Sequence, residues 1–202
     1  RVYFAKQSLL KKLIGQQWYF YVNINLISMR NLKIAVIQSE IVWENINKNL
    51  ANYTQLIANM SKQSDLIVLP EMFTTGFSMH PERLAETMDG QGVNWMKETA
   101  EKTNSNICGS LIIVENGNYM NRFIQCAPDG KLDFYDKRHL FRMGNEHNHY
   151  IAGNKRLIYN ISDWRIHALI CYDLRFPVWS RNKNEYDLLI YVANWPESRR
   201  EV

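Results

Sequence analysis

The sequence HALICYDLRFPVW occupies residues 167–179. Its apolar run from Ala168 to Ile170 predicts a buried strand that ends at Cys171, and Pro177 suits the first turn of a following helix. The backbone N–H groups of a starting helix favour an anion and lower the pKa of a thiol placed there. We therefore interpret Cys171 as a partly exposed nucleophile, and we expect a base and an oxyanion stabiliser elsewhere in the chain.

Two other predicted strands also end in reactive groups. Glu71 follows the apolar run LIVLP, and Lys137 follows LDFYD. Side chains at the ends of neighbouring strands can converge at one sheet edge, where the sites of α/β proteins usually form. In that arrangement Cys171 is the nucleophile and Glu71 the general base. Lys137 then stabilises an oxyanion together with the backbone N–H of Tyr172.

From residue 33 onward, apolar strands alternate with helices, and two hairpins lie between them. The predicted strands cover residues 33–38, 65–70, 106–114, 119–127, 131–136, 156–161, 164–170 and 187–193, and the predicted helices cover 43–61, 94–103 and 176–182. This mixture favours an α/β fold in which helices cover one face of a sheet and a second sheet packs on the other. Because the chain stops nine residues after Ala193, we expect the domain to be incomplete at its C-terminus.

The net positive charge of the chain lies entirely in residues 1–28, which contain four basic residues and no acidic one. Nucleic-acid binding needs a clustered basic face in the body of the protein, so we expect no nucleic-acid partner. The apolar part of residues 1–28 is too short and too polar to span a bilayer, and we expect no stable membrane association. We interpret Met29 as the natural start and residues 1–28 as an extension of uncertain status, with a weak targeting segment as the alternative.

The three cysteines are Cys108, Cys126 and Cys171. An odd number of widely spaced cysteines argues against a disulfide framework and favours a reducing compartment, which we expect to be the cytoplasm. Cys108 and Cys126 lie in strand-like runs, so we interpret them as buried structural thiols.

Three histidines, His139, His147 and His149, lie near Glu146 in a loop rich in asparagine. Their spacing does not match a known zinc pattern, and such a loop is more typical of a polar surface. We therefore expect neither a metal nor a cofactor.

Together, these motifs resemble the nitrilase, or carbon–nitrogen hydrolase, superfamily, and within it the omega-amidase branch. The resemblance runs from about residue 29 to residue 195 and is carried by LPEMFTTGF, YDKRHLF, ICYDLRFP and YVANWP in the family's order. It implies an α-β-β-α sandwich over residues 29–202 and a triad of Glu71, Lys137 and Cys171. It also implies a second glutamate near the thiol, and Glu146 in FRMGNEHNHY matches that position.

The resemblance implies hydrolysis of a small amide through a cysteine thioester, with ammonia released before water attacks the acyl-enzyme. The implied substrates are ω-amides of 2-oxo dicarboxylates, such as 2-oxoglutaramate. The family's domain continues past YVANWP, so we expect the last strands and helix to be missing, and a homodimer only if the full domain is present. Two alternatives stay open, namely another nitrile, carbamoyl or amide specificity on the same machinery, and an inactive fragment.

Four further residues are candidates for binding the substrate. A substrate derived from a dicarboxylate needs a cation for its free carboxylate, and Arg142 and Arg175 are the candidates. Phe77 and Trp195 could line an apolar pocket wall or belong equally well to the core. We interpret Asp173, which follows the nucleophile, as forming a structural pair with Arg175 that holds the corner.

Overall fold

Two β-sheets form the centre of the fold. In the computed structural model, which describes residues 9–14, 17–24, 31–60 and 63–195, the first sheet has seven strands in the order β1 to β7 and the second has the order β10-β9-β8. The strands are β1 (Leu9–Ile14), β2 (Gln17–Ile24), β3 (Leu32–Gln38), β4 (Leu66–Val68), β5 (Asn106–Glu115), β6 (Asn118–Cys126), β7 (Leu132–Asp136), β8 (Ile158–Ile161), β9 (Trp164–Ile170) and β10 (Leu188–Val192). The helices are α1 (Ile46–Ala58), α2 (Pro81–Leu84) and α3 (Gln91–Thr103), with 3-10 helices at Arg142–Gly144, Glu146–Asn148 and Cys171–Arg175.

The strand directions bring several strand ends to one edge. Strands β3, β4 and β5 are parallel, and β6 and β7 follow in antiparallel steps, so β7 runs in the same direction as β4. In the second sheet, β9 and β10 are parallel to each other. Parallel strands end at the same edge of a sheet, so the residues that follow β4 and β7 lie at one edge.

One apolar core lies between the two sheets and another lies under the helices. Leu66 of β4 belongs to the first core with Ile166 of β9, and the next residue, Ile67, belongs to the second core with Tyr53 of α1 and Met96 of α3. Side chains alternate between the two faces of a strand, and a strand covered on both faces is apolar throughout. The prediction of an α/β fold with two packed sheets is therefore confirmed.

All eight predicted strands are present, and the two long helices differ from prediction only in their bounds. Helix α1 begins at Ile46, later than predicted, because the Asn45 side chain caps it by accepting a hydrogen bond from the Lys48 N–H at 3.0 Å. Helix α3 begins earlier than predicted because the Glu86 carboxylate accepts hydrogen bonds of 2.7 and 3.0 Å from two N–H groups of its first turn. Such caps satisfy donors that a helix leaves unpaired at its start.

The predicted helix over residues 176–182 is wrong. The chain instead forms the 3-10 helix Cys171–Arg175, which begins at the cysteine itself, and continues in turns. Phe176 has φ −121° and ψ 72°, outside the helical region. Proline disfavours the helical conformation in the residue before it, so Pro177 stops the helix at Phe176 instead of starting one.

Two strands occur where none was predicted. Strand β2 pairs antiparallel with β3, and β1 pairs antiparallel with β2, so both extend the first sheet beyond β3. The run WYFYV in β2 is rich in the aromatic and β-branched residues that favour strands, but the polar residues on either side of it weaken the strand pattern.

Met29 lies outside the described residues. Within the part of the chain that the structure describes, no helix has both the length and the apolar character that crossing a bilayer requires.

Candidate active site

Three buried titratable side chains meet at the edge where β4 and β7 end. The Nζ atom of Lys137 lies 2.8 Å from Glu71 Oε1 and 3.0 Å from Glu146 Oε2, and all three side chains have no exposed surface. Glu71 begins a turn and is separated from the end of β4 by two residues, Lys137 directly follows β7, and Glu146 begins a 3-10 helix. Burying charges is costly unless they are paired, and two carboxylates around one ammonium group leave a net negative charge. Such an expensive arrangement points to function rather than to stability.

A fourth side chain, Asn121 of β6, was not predicted and binds both carboxylates. Its Nδ2 atom donates to Glu71 Oε1 at 2.8 Å and to Glu146 Oε1 at 3.0 Å. The Ser110 hydroxyl donates to Asn121 Oδ1 at 2.8 Å, which fixes the orientation of the amide. Ser110 and Asn121 are polar residues within the apolar runs of β5 and β6. Because buried polar groups require partners, these two residues were the sequence signal that could have indicated a polar contact here.

The second sheet also contacts this cluster. The backbone N–H of Asn194, two residues after β10, donates to Glu71 Oε2 at 3.1 Å. Glu71 therefore accepts hydrogen bonds on both oxygens, from Lys137 and Asn121 on Oε1 and from Asn194 on Oε2. These contacts join the ends of strands from both sheets, and the sequence reasoning did not assign a role to Asn194.

Cys171 is the first residue after β9 and has a strained backbone. Its φ of 41° lies in the left-handed region, which residues other than glycine adopt rarely and at a cost. Strain of this kind persists only where the surrounding structure holds it, and it is common at active sites. The thiol is half-buried and lies within the electrostatic influence of Glu71 and Lys137.

The predicted depression of the thiol pKa is wrong. Burial and the charge of Glu71 raise the pKa of Cys171, and the opposing charge of Lys137 does not offset them. A single 3-10 turn supplies too small a dipole to compensate for the loss of water around the thiol. The resting group is therefore the protonated thiol, and its attack on a substrate requires a base, for which Glu71 is in place.

Lys137 and Glu146 have displaced pKa values as well. Burial alone would lower the pKa of Lys137, but the charges of Glu71 and Glu146 reverse that effect and raise it, so Lys137 remains an ammonium group. Burial raises the pKa of Glu146 above its ordinary value despite the nearby Lys137. The cluster thus contains a permanent cation and a carboxyl group that holds a proton more readily than a free glutamate does.

Among the candidate substrate-binding residues, Phe77 lies beside the cluster. The ring centroid of Phe77 lies 5.2 Å from Lys137 Nζ, and Trp195 directly follows Asn194. Tyr172 follows the cysteine, and its ring packs edge-on against Phe141 at 5.0 Å. The backbone N–H of Phe141 in turn donates to Glu146 Oε2 at 2.6 Å.

The two candidate arginines are exposed. Arg142 lies in the 3-10 helix Arg142–Gly144, and Arg175 ends the 3-10 helix that Cys171 begins. The predicted pairing of Asp173 with Arg175 is wrong, because the buried Asp173 carboxylate instead accepts hydrogen bonds from Tyr135, His139 and the Ile170 N–H.

The loop histidines do not form a cluster with Glu146. Glu146 is buried against Lys137, whereas His147 and His149 are exposed and His139 contacts Asp173. Among the residues that the structure describes, no group of three or more His, Cys, Asp or Glu side chains is arranged to hold a metal ion.

Comparison with known proteins places this geometry in a family. The profile of the carbon-nitrogen hydrolases matches residues 33–201. The chain belongs to the carbon-nitrogen hydrolase family. It is 48% identical over 171 residues to the omega-amidase YafV of Escherichia coli K12, which covers 85% of this chain. It is 30% identical to the 2-oxoglutaramate amidase of Bacillus subtilis 168 over 82% of this chain.

A solved structure of the same superfamily is also similar. XC1258 from Xanthomonas campestris, a CN-hydrolase superfamily protein with an arsenic adduct in its active site, has a TM-score of 0.81 and 42% identity to this chain. The match covers 85% of this chain and 68% of XC1258. The chain spans 66% of the length of YafV and of the B. subtilis amidase, about two thirds of those relatives.

Proposed function

We propose that this carbon-nitrogen hydrolase chain hydrolyses the terminal amide of a small 2-oxo dicarboxylic acid monoamide through a thioester on Cys171. The observation that carries the proposal is the joint burial of Glu71, Lys137 and Glu146 beside a strained cysteine. A protonated thiol, a hydrogen-bonded carboxylate and a fixed cation are the parts that acyl transfer requires.

In the first half-reaction, Glu71 takes the proton of the Cys171 thiol as sulfur forms a bond to the amide carbon. The carbonyl oxygen becomes an oxyanion, which the Lys137 ammonium and the backbone N–H of Tyr172 stabilise. The first N–H groups of a helical turn have no partner within the turn, so Tyr172 can supply one to the oxyanion. Collapse breaks the C–N bond, and Glu71 returns its proton to nitrogen, so that ammonia leaves and a thioester remains.

In the second half-reaction, a water molecule gives a proton to a carboxylate and its oxygen attacks the thioester carbon. We choose Glu71 as this base because its charge acts more strongly on the Cys171 thiol than that of Glu146 does. The C–S bond then breaks, the product carboxylic acid leaves, and the proton returns to sulfur. Glu146 contacts Lys137 through both oxygens, so it positions the ammonium and supplies further negative charge.

The proposed substrate class rests on similarity to an omega-amidase and a 2-oxoglutaramate amidase. A terminal carboxylate on the substrate needs a cation, and the exposed Arg142 and Arg175 remain our candidates for that contact. Phe77, next to Lys137, and Trp195, next to Asn194, are our candidates for the apolar part of the pocket wall. The mechanism requires a free thiol, which favours a reducing compartment such as the cytoplasm, and the expected homodimer remains part of the proposal.

Ammonia release tests the function directly. Purified protein is incubated with 2-oxoglutaramate, glutamine and a simple nitrile, and the proposal predicts preferential turnover of 2-oxoglutaramate. The Cys171→Ala variant should release no ammonia, whereas the Cys126→Ala variant, which alters a buried thiol in β6, should retain turnover. Equal turnover of all three compounds would contradict the substrate class. Unaltered activity in Cys171→Ala would contradict the mechanism, and no turnover of any compound would favour an inactive fragment.

A further inference from the structure

A second buried carboxylate, Asp173, lies beside the nucleophile but outside the cluster described above. Its side chain has no exposed surface, and each of its oxygens accepts two hydrogen bonds. Oδ1 accepts from the backbone N–H of His139 at 2.9 Å and lies 2.8 Å from His139 Nδ1, and Oδ2 accepts from Tyr135 Oη at 2.8 Å and from the Ile170 N–H at 3.0 Å. A carboxylate with four donors is fixed in one orientation.

The donors come from the residues that flank two members of the proposed triad. Tyr135 and His139 lie two residues before and two residues after Lys137. Ile170 directly precedes Cys171, and Asp173 itself follows it by two residues. Asp173 therefore ties the end of β7, which carries the ammonium group, to the end of β9, which carries the thiol.

The same contacts hold the corner that contains the strained cysteine. The Asp173 carboxylate caps the 3-10 helix Cys171–Arg175 through the Ile170 N–H, and its backbone oxygen accepts from the Phe176 N–H at 3.0 Å. Backbone strain such as the positive φ of Cys171 persists only when neighbouring contacts impose it. Asp173 supplies such contacts on both sides of the cysteine.

Aromatic side chains close the outer side of this network. Tyr135 Oη accepts hydrogen bonds from the Arg138 N–H at 2.9 Å and from Trp179 Nε1 at 3.2 Å while it donates to Asp173. The His139 ring stacks on Phe176 with centroids 3.8 Å apart and planes within 5°. A fully bonded hydroxyl and a stacked ring leave the donors of Asp173 little freedom to move.

We propose that Asp173 is a positioning residue that fixes the separation of the Cys171 thiol and the Lys137 ammonium. This inference rests on the proposed function, since it matters only if Cys171 is the nucleophile. Misplacing reacting groups by a fraction of a side chain slows a reaction strongly without changing its chemistry. Asp173 thus acts on the reaction through Cys171 and Lys137, without contact with the substrate.

The Asp173→Asn substitution separates this role from a direct effect of charge. The asparagine NH₂ would face either the His139 N–H or the Ile170 N–H, neither of which can accept a hydrogen bond. One hydrogen bond is therefore lost in either orientation of the amide, and we expect Cys171 to react more slowly. Loss of the negative charge alone would favour the thiolate and speed the reaction at Cys171. The lost hydrogen bond and the lost charge therefore change the reaction rate in opposite directions.

The experiment measures alkylation of each cysteine by iodoacetamide in the intact chain, followed by peptide mass spectrometry over time. In the wild type, Cys171 should react much faster than the buried Cys108 and Cys126. In Asp173→Asn, the rate at Cys171 should fall by roughly tenfold or more, the loss expected for a broken hydrogen bond to a charged group, while Cys108 and Cys126 remain protected. Tyr135→Phe removes the hydroxyl that donates to Asp173 and should slow alkylation of Cys171 by roughly threefold. This variant replaces Asp173→Asn in the experiment if Asp173→Asn does not fold.

Asp187→Asn is the matched control. Asp187 also accepts hydrogen bonds from a backbone N–H and a side chain, both of Arg165. It directly precedes β10 and lies beside the start of β9, away from the cysteine that follows the end of β9. Its variant should leave the Cys171 rate unchanged. An unchanged or faster rate at Cys171 in Asp173→Asn would overturn the positioning role, as would new labelling of Cys108 and Cys126, which would indicate general loosening. Equal, slow labelling of all three cysteines in the wild type would instead overturn the proposed function.

Discussion

Replacing Lys137 by methionine should strongly lower the free energy of unfolding of the protein at neutral pH. Lys137 is the cation bound to both Glu71 and Glu146, and none of the three side chains is exposed. Methionine has a similar length and fills the space, but it leaves two carboxyl groups buried without a counter-charge. Breaking a buried ion pair by removing one partner costs about 3–5 kcal/mol, a large share of the 5–15 kcal/mol of a typical domain.

The loss of stability in Lys137→Met should become smaller as the pH falls. Lys137 lowers the pKa of Glu146, whereas burial and the charge of Glu71 raise it, so removal of the ammonium group raises the pKa of Glu146 further above the unfolded value of about 4.3. A group whose pKa is raised by folding favours the folded state at low pH and loses that contribution as the pH rises through the folded pKa. The variant should therefore regain stability as the pH is lowered from about 8 to about 5, because the folded state takes up a proton.

Urea unfolding followed by fluorescence measures both effects. A loss of about 4 kcal/mol corresponds to a shift in midpoint of roughly 2 M at an m-value of about 2 kcal/mol per molar. Lys131→Met is the matched control, because Lys131 is exposed and its ion pair with Asp133 lies near the surface. This variant should change stability by less than about 0.5 kcal/mol. A Lys137→Met midpoint equal to that of the control, or one independent of pH, would refute the burial argument.

Three further predictions concern individual residues. Glu71→Gln removes the base and should lower the rate of ammonia release by about 10²- to 10⁴-fold, and activity close to wild type would exclude Glu71 from proton transfer. Asn121→Ala removes the donor shared by both carboxylates and should lower that rate by roughly tenfold or more, whereas Asn118→Ala at the exposed start of β6 should not change it. Burial lowers the pKa of His167 below its ordinary 6.5, so the free energy of unfolding should decrease as the pH falls below about 6.5, where the unfolded chain gains a proton first. His167→Phe should flatten that decrease in urea titrations between pH 7 and pH 5, and an unchanged slope would rule out His167 as its source.

The strands and the reactive residues that follow them could be predicted because both signals are local. The apolar run before Glu71 indicates a buried strand, and parallel strands bring Glu71 and Lys137 to one edge. Asn121 could not be assigned in the same way, because it lies inside β6 rather than after a strand end, and its residue type does not show which partner it binds. Asn194 contacts Glu71 across 123 residues and through its backbone N–H, which leaves no trace in the residue type.

The errors in prediction have equally specific causes. The helix expected after Cys171 fails because Pro177 restricts Phe176, a constraint that outweighs the preference of proline for a first helical turn. The thiol pKa was assigned from a helix dipole, whereas burial and the charge of Glu71 determine it in the folded protein. Burial is a property of the packed structure, so a local motif cannot predict the direction of such a shift.

Intact mass spectrometry after brief exposure to 2-oxoglutaramate and rapid acid quenching tests the covalent role of Cys171 most directly. A thioester intermediate predicts a transient increase in mass equal to the acyl group that remains after ammonia is lost, located by peptide mapping on Cys171. The adduct should be absent from Cys171→Ala. Turnover of substrate without any adduct in the quenched wild type, or an adduct mapped to Cys108 or Cys126, would contradict a covalent role for Cys171.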